Sequence, residues 1–102
     1  MSCPLAYLLV QGTVADVEGF KAYSASLPSI YKKFGGHYLS VTPSSNVQIA
    51  EGEPRNESIL IAQFPSKEAA WCFWKSAEYE EAKKLRAGKG SFFVTVLEGL
   101  PT

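Results

Sequence analysis

Three short segments of this 102-residue chain are apolar on both faces of an extended backbone, and nothing else in the sequence constrains the fold as tightly. They are LAYLLVQGT at 5–13, SILIAQF at 58–64 and FFVTVLE at 92–98. Side chains alternate across a strand, so Ala6, Leu8 and Val10 point one way while Tyr7 and Leu9 point the other. A fourth strand, HYLSVT at 37–42, sets His37, Leu39 and Val41 on one face and Tyr38, Ser40 and Thr42 on the other. Strands that are apolar on both sides need cover on both sides.

The chain offers two amphipathic helices to provide it. Asp16 is a good N-cap, and Phe20, Tyr23, Leu27, Ile30 and Phe34 then recur at three- and four-residue spacing as one helical stripe. Pro28 should bend or interrupt that helix, because it cannot donate to the carbonyl of Ser24. Gly35-Gly36 suits a left-handed helix end. PSSN and EPRNE are turn chemistry, with VQIAEG a short extended piece between them. The segment AAWCFWKSAEYEEAKKLR at 69–86 carries both tryptophans. On a helix capped by Ser66, residues Ala69, Ala70, Phe73, Trp74 and Ala77 share an arc of about 140° that faces the sheet. Ser76 starts a second helical piece, with Tyr79, Ala82 and Leu85 on its apolar side. Trp71 points nearly opposite Phe73, so it is exposed or covered by something outside this helix–sheet pair.

The order β-α-β-β-α-β predicts an α+β fold: a ferredoxin-like, antiparallel four-stranded sheet with two helices on one face, forming one domain over residues 1–102. Two helices cover only one face. The other, apolar face calls for a second copy placed sheet against sheet, so a homodimer is expected.

Composition narrows the partners. Ten basic and ten acidic residues cancel, which argues against nucleic acid. The run LAYLLV is too short for a membrane span or a signal-peptide core. Cys3 and Cys72 are far apart and form no C-x-x-C; read as reduced thiols, they fit a cytoplasmic protein. RAGKGS lacks the leading glycine of a phosphate loop, since Lys83 stands there.

The segments EGFKAYSASLPSIYKKFGGHYL, AEG, QFPSKEAAWCFWKSAEYEEAKKLR and VLEG together resemble the domain-of-unknown-function 1330 family, of the dimeric α/β-barrel superfamily. GG-x-x-L, FPS-x-E-A and S-x-E-Y carry the likeness. It implies the same protomer and a barrel made by two sheets. The superfamily includes cofactor-free monooxygenases, muconolactone-isomerase-like enzymes, haem-handling proteins and stress-response proteins, which implies a small-molecule cavity but no particular reaction. Family members often have Glu at the position of Gln63 and Arg at that of His37, and favour Trp at that of Phe73.

Candidate site residues follow from chemistry and position. His37, the only histidine, is a candidate general acid or base at the cavity rim if its strand face meets the helices, with Glu51 a candidate partner. Tyr23 and Tyr79, on the inner helix stripes, and Trp74 beside them are candidate ligand contacts. Arg86 has the fork geometry to clamp a carboxylate, and Gln63 carries an amide that needs a partner. No metal-ligand spacing stands out, and no cofactor is expected. The expected function is an enzyme doing cofactor-independent acid–base chemistry, isomerase- or monooxygenase-like, on a small organic molecule. The alternatives are a non-catalytic ligand-binding or sensing protein and a structural dimer module.

Overall fold

In the computed structural model, which describes residues 4–101, the strands β1 (Ala6–Val14), β2 (His37–Thr42), β3 (Ser58–Phe64) and β4 (Gly90–Glu98) form one antiparallel sheet in the order β2-β3-β1-β4. The helices are α1 (Val17–Lys33), α2 (Lys67–Trp74) and α3 (Ala77–Lys84). A 3-10 turn occupies Ser44–Asn46, and the expected extended piece at 47–52 forms no strand. This is the ferredoxin-like α+β arrangement.

Each helix starts on a side chain that the sequence supplies. Asp16 accepts from the amide of Gly19, Ser66 from that of Ala69, and Ser76 from that of Tyr79. Pro28 does not interrupt α1, which is helical throughout Val17–Lys33. Its exposed position leaves the missing donor on the solvent side, where water can satisfy the freed carbonyl. The helix ends as Gly35 turns to φ 81° and the amide of Gly36 donates to the carbonyl of Tyr31 at 2.8 Å. A Lys33–Glu78 ion pair ties α1 to α3.

The core is aromatic. Phe73 on α2 is fully buried and meets Tyr31 at 4.4 Å between ring centroids, Tyr79 at 4.9 Å and Phe64 at 5.4 Å. One ring thus joins all three helices to the sheet. Ala70, Tyr79 and Ala82 are buried beside it as the helical arc predicts, whereas Ala77, the first residue of α3, and Leu85, its C-cap, are exposed at the helix ends. On α1 the buried set is Tyr23, Leu27 and Tyr31; Ile30, expected on the stripe, is only half-buried next to Tyr31.

The register sorts every strand residue by face. Leu8, Ala62, Val96 and Tyr38 form a row toward the helices, and Leu9, Ile61, Thr95 and Ser40 form a row away from them. An irregularity in β2 between Tyr38 and Ser40 breaks the simple alternation. Beyond it Val41 pairs with Leu60, on the helix side, while His37 before it pairs with Gln63, on the far side. His37 and Val41 therefore do not share a face.

Gly36 offers a direct test of the packing. A Cβ there would lie 2.5 Å from the ring of Phe64, which is itself fully buried and has nowhere to retreat. Gly36→Ala should cost about 1–3 kcal/mol in urea unfolding, and an unchanged midpoint would contradict this account of the junction.

Candidate functional site

Between the helices and the sheet lies a cavity of about 390 Å³, within the size range of small-molecule sites. The sheet supplies its apolar floor through Leu8, Val10, Leu60 and Val94. Helix α1 adds Phe20, Tyr23, Leu27 and Tyr31, β2 adds Tyr38, and the α2–α3 pair adds Trp74 and Tyr79. Gly12 lines one end of the floor, where β4 approaches so closely that a Cβ would overlap the backbone carbonyl of Ser91.

Polar groups are few and placed. The hydroxyls of Tyr23 and Tyr79 are bonded to each other at 2.8 Å. One hydrogen serves that bond, which leaves the pair a second to donate outward. Arg86 follows α3, with its amide donating to the carbonyl of Lys83 and its own carbonyl accepting from the amide of Lys89. With its backbone fixed on both sides, its guanidinium stacks over Phe92 at 4.9 Å and Tyr23 at 5.6 Å. Among the described residues no carboxylate pairs with Arg86, and the cavity lining contains no Asp, Glu, His or Cys. The lining thus presents one positive charge and several hydroxyls.

Burial pushes the phenol of Tyr23 well above its ordinary range; its partner Tyr79 adds to the effect and Arg86 opposes it. Tyr31 is raised by burial and then by Tyr38, Tyr23 and Tyr79, and Tyr38 by burial and then by Tyr79. At neutral pH all three are neutral hydrogen-bond donors rather than bases.

Four of the seven candidate residues come together here: Tyr23, Trp74, Tyr79 and Arg86. Three do not. His37 faces away from the cavity beside Gln63, in a row that continues to Tyr7 and Leu97, and Glu51 lies in the exposed loop at 43–57. Tyr31, Tyr38, Phe20 and Phe92 line the cavity although sequence reasoning did not name them as site residues. Tyr31 had a signal, since it stands four residues after Leu27 and eight after Tyr23. Trp71 is exposed, with the Lys75 ammonium 5.5 Å above its ring. Cys72 is exposed and free, and Cys3 lies outside the described residues. No helix among the described residues is long and apolar enough to cross a membrane.

A family model described as Domain of unknown function (DUF1330) matches residues 5–100. No curated protein matches the chain. Among solved structures, the RPA0582 protein of unknown function from Rhodopseudomonas palustris is similar with a TM-score of 0.76 at 17% identity, over 97% of this chain and 85% of that one. SnoaB from Streptomyces nogalater, a cofactor-independent oxygenase, is similar with a TM-score of 0.67 at 11% identity, over 98% and 97% of the two chains. At such identities the likeness is one of fold.

The tyrosines give a pH prediction. For each of Tyr23, Tyr31 and Tyr38 the folded value lies above the unfolded one, near 10, so the neutral phenol's contribution to stability is complete below about pH 10. That contribution is lost as pH rises from there toward the folded value. In an alkaline absorbance titration, Tyr31→Phe should leave the early phenolate phase unchanged and shrink only the late step that accompanies unfolding. Loss of amplitude from the early phase would show that Tyr31 is freely ionisable.

Proposed function

The chain belongs to the DUF1330 family, in the dimeric α/β-barrel superfamily, and from that premise we propose that it acts on a small, largely apolar ring compound held in the cavity as an oxygen-centred anion. A partly buried guanidinium on the cavity wall, without a carboxylate partner among the described residues, carries this reading. An anion there gains charge-assisted hydrogen bonds in surroundings drier than water. The spare hydrogen of the Tyr23–Tyr79 pair adds a neutral donor. Groups that hold an enolate or phenolate favour any step in which charge develops on oxygen, which is the demand of isomerase- or monooxygenase-like chemistry. The fold shared with a cofactor-independent oxygenase is compatible with that class. The lining offers no carboxylate or imidazole to take a proton, so acidity belongs to the substrate and the proton passes to water. That same feature favours a second reading, a binding protein that holds such an anion without transforming it. The exposed free thiol of Cys72 fits a cytoplasmic setting.

Equilibrium dialysis with 2-naphthoate and 2-methylnaphthalene tests the anion site. Arg86→Gln should weaken naphthoate binding about 10–100-fold, the size of one lost charge-assisted hydrogen bond, and leave the neutral compound unaffected. Arg86→Lys should restore part of the loss. Equal binding of both compounds by the wild type, or an equal loss of both in the variant, would sink the proposal. Recovery of the bound compound chemically unchanged after incubation, for every naphthoate derivative tried, would favour the binding reading.

The working unit in this proposal is a dimer. The sheet face turned away from the helices carries Leu9, Ile59 and Ile61, with Phe93 65% and Leu97 46% exposed. An apolar face of this kind is stabilised by a self-complementary copy across a two-fold axis, which fits the superfamily architecture. Sedimentation velocity should find a dimer, and Ile61→Asp should give a folded monomer. A monomeric wild-type protein at tens of micromolar would overturn the dimer.

A further inference from the structure

Two tyrosines that line the cavity remain without a role in anion binding. Tyr31 is 4% exposed, and its ring is held between Phe73, stacked at 4.4 Å, and Tyr38, edge-on at 5.0 Å. Among the described residues neither the Tyr31 nor the Tyr38 hydroxyl has a hydrogen-bond partner, yet no side-chain polar atom is shut away without one. Both hydroxyls therefore open onto free space, and both residues line the cavity. A tyrosine used only for packing could be phenylalanine at lower desolvation cost, as Phe73 and Phe64 are beside them. Their position differs from that of the anion site. The backbone of Tyr31 stands eight residues after that of Tyr23 on α1, just over two turns and about 12 Å along the helix, while its hydroxyl stays near enough to those of Tyr23 and Tyr79 for the phenols to influence one another. Arg86 stacks at the Tyr23 and Phe92 end.

Resting on the anion-holding reading above, we propose that the hydroxyls of Tyr31 and Tyr38 form a second polar contact that receives a neutral oxygen of the same molecule. The substrate class is then a ring compound with one acidic oxygen and, elsewhere on the ring system, a neutral carbonyl or hydroxyl. Both tyrosines are neutral at physiological pH, so they donate to a carbonyl or exchange hydrogen bonds with a hydroxyl and add no charge. The apolar floor of the cavity accommodates the ring system. Discrimination comes from the cost of leaving a polar group unpaired: a ligand lacking the distal oxygen covers the two hydroxyls with carbon.

Four probes at neutral pH separate this claim from the anion claim: naphthalene, 2-naphthol, 2-naphthoate and 6-hydroxy-2-naphthoate. In the wild type, the added hydroxyl should tighten binding roughly 3–10-fold in both the neutral and the acidic pair, as one neutral hydrogen bond does. The double variant Tyr31→Phe/Tyr38→Phe should lose that gain in both pairs and keep the naphthoate-over-naphthalene preference. Arg86→Gln should do the reverse. Should Tyr31→Phe fail to fold, Tyr38→Phe alone must lower the gain. A wild type without the gain, or a gain that survives in the phenylalanine variants, overturns the second contact whatever Arg86 does. Loss of the acid preference with the hydroxyl gain intact overturns the anion reading instead. If none of the four probes binds, both fall.

Discussion

The stacking of Phe73 against Tyr31, Tyr79 and Phe64 is the contact on which the rest of the structure depends. It joins α2 to α1, α3 and the sheet at one point, and burial of a side chain of this size contributes about 1.5–3 kcal/mol. A chain of about a hundred residues buries a modest share of its surface, so few such contacts must hold it. The helices are short, with eight residues each in α2 and α3, and could not persist without this packing.

Packing at that junction also creates the cavity. The aromatic rings crowd toward the Phe64 end of the sheet, where Ala6 and Ala62 permit close approach of the helices. Toward the other end Phe20, Phe92 and the stacked Arg86 pack together and line the cavity between the layers. Stability and site thus come from one set of tyrosines: their rings fill the core, and they bring to the cavity lining hydroxyls that are bonded to each other or not shut away. Such a site offers donors and one cation, the groups on which the proposed recognition of oxygen rests.

Much of this was legible in the chain. The three caps at Asp16, Ser66 and Ser76 are local, because a side-chain oxygen reaches only two or three residues ahead. Tyr23 and Tyr79 were placed inward by helical periodicity, and Arg86 was marked by the fork that matches an oxyanion. Tyr31 was passed over in favour of Ile30, which is apolar and also lies near the stripe. Hydropathy ranks a tyrosine below an isoleucine, whereas packing against Phe73 and Phe64 rewards the flat ring.

By itself the sequence determined the element order, the sheet-facing side of both helical segments and the excess of apolar strand faces, because each depends on periodicity over a few neighbouring residues. Tertiary structure alone decided which strand face the helices cover and where β2 shifts register. One irregularity between Tyr38 and Ser40 reverses the expected partnership, so that Tyr38 and Val41 turn toward the cavity and His37 turns away to Gln63. Strict alternation cannot foresee it. A side chain's face is set by its pairing with the next strand, and an unpaired residue inverts the count for everything beyond it.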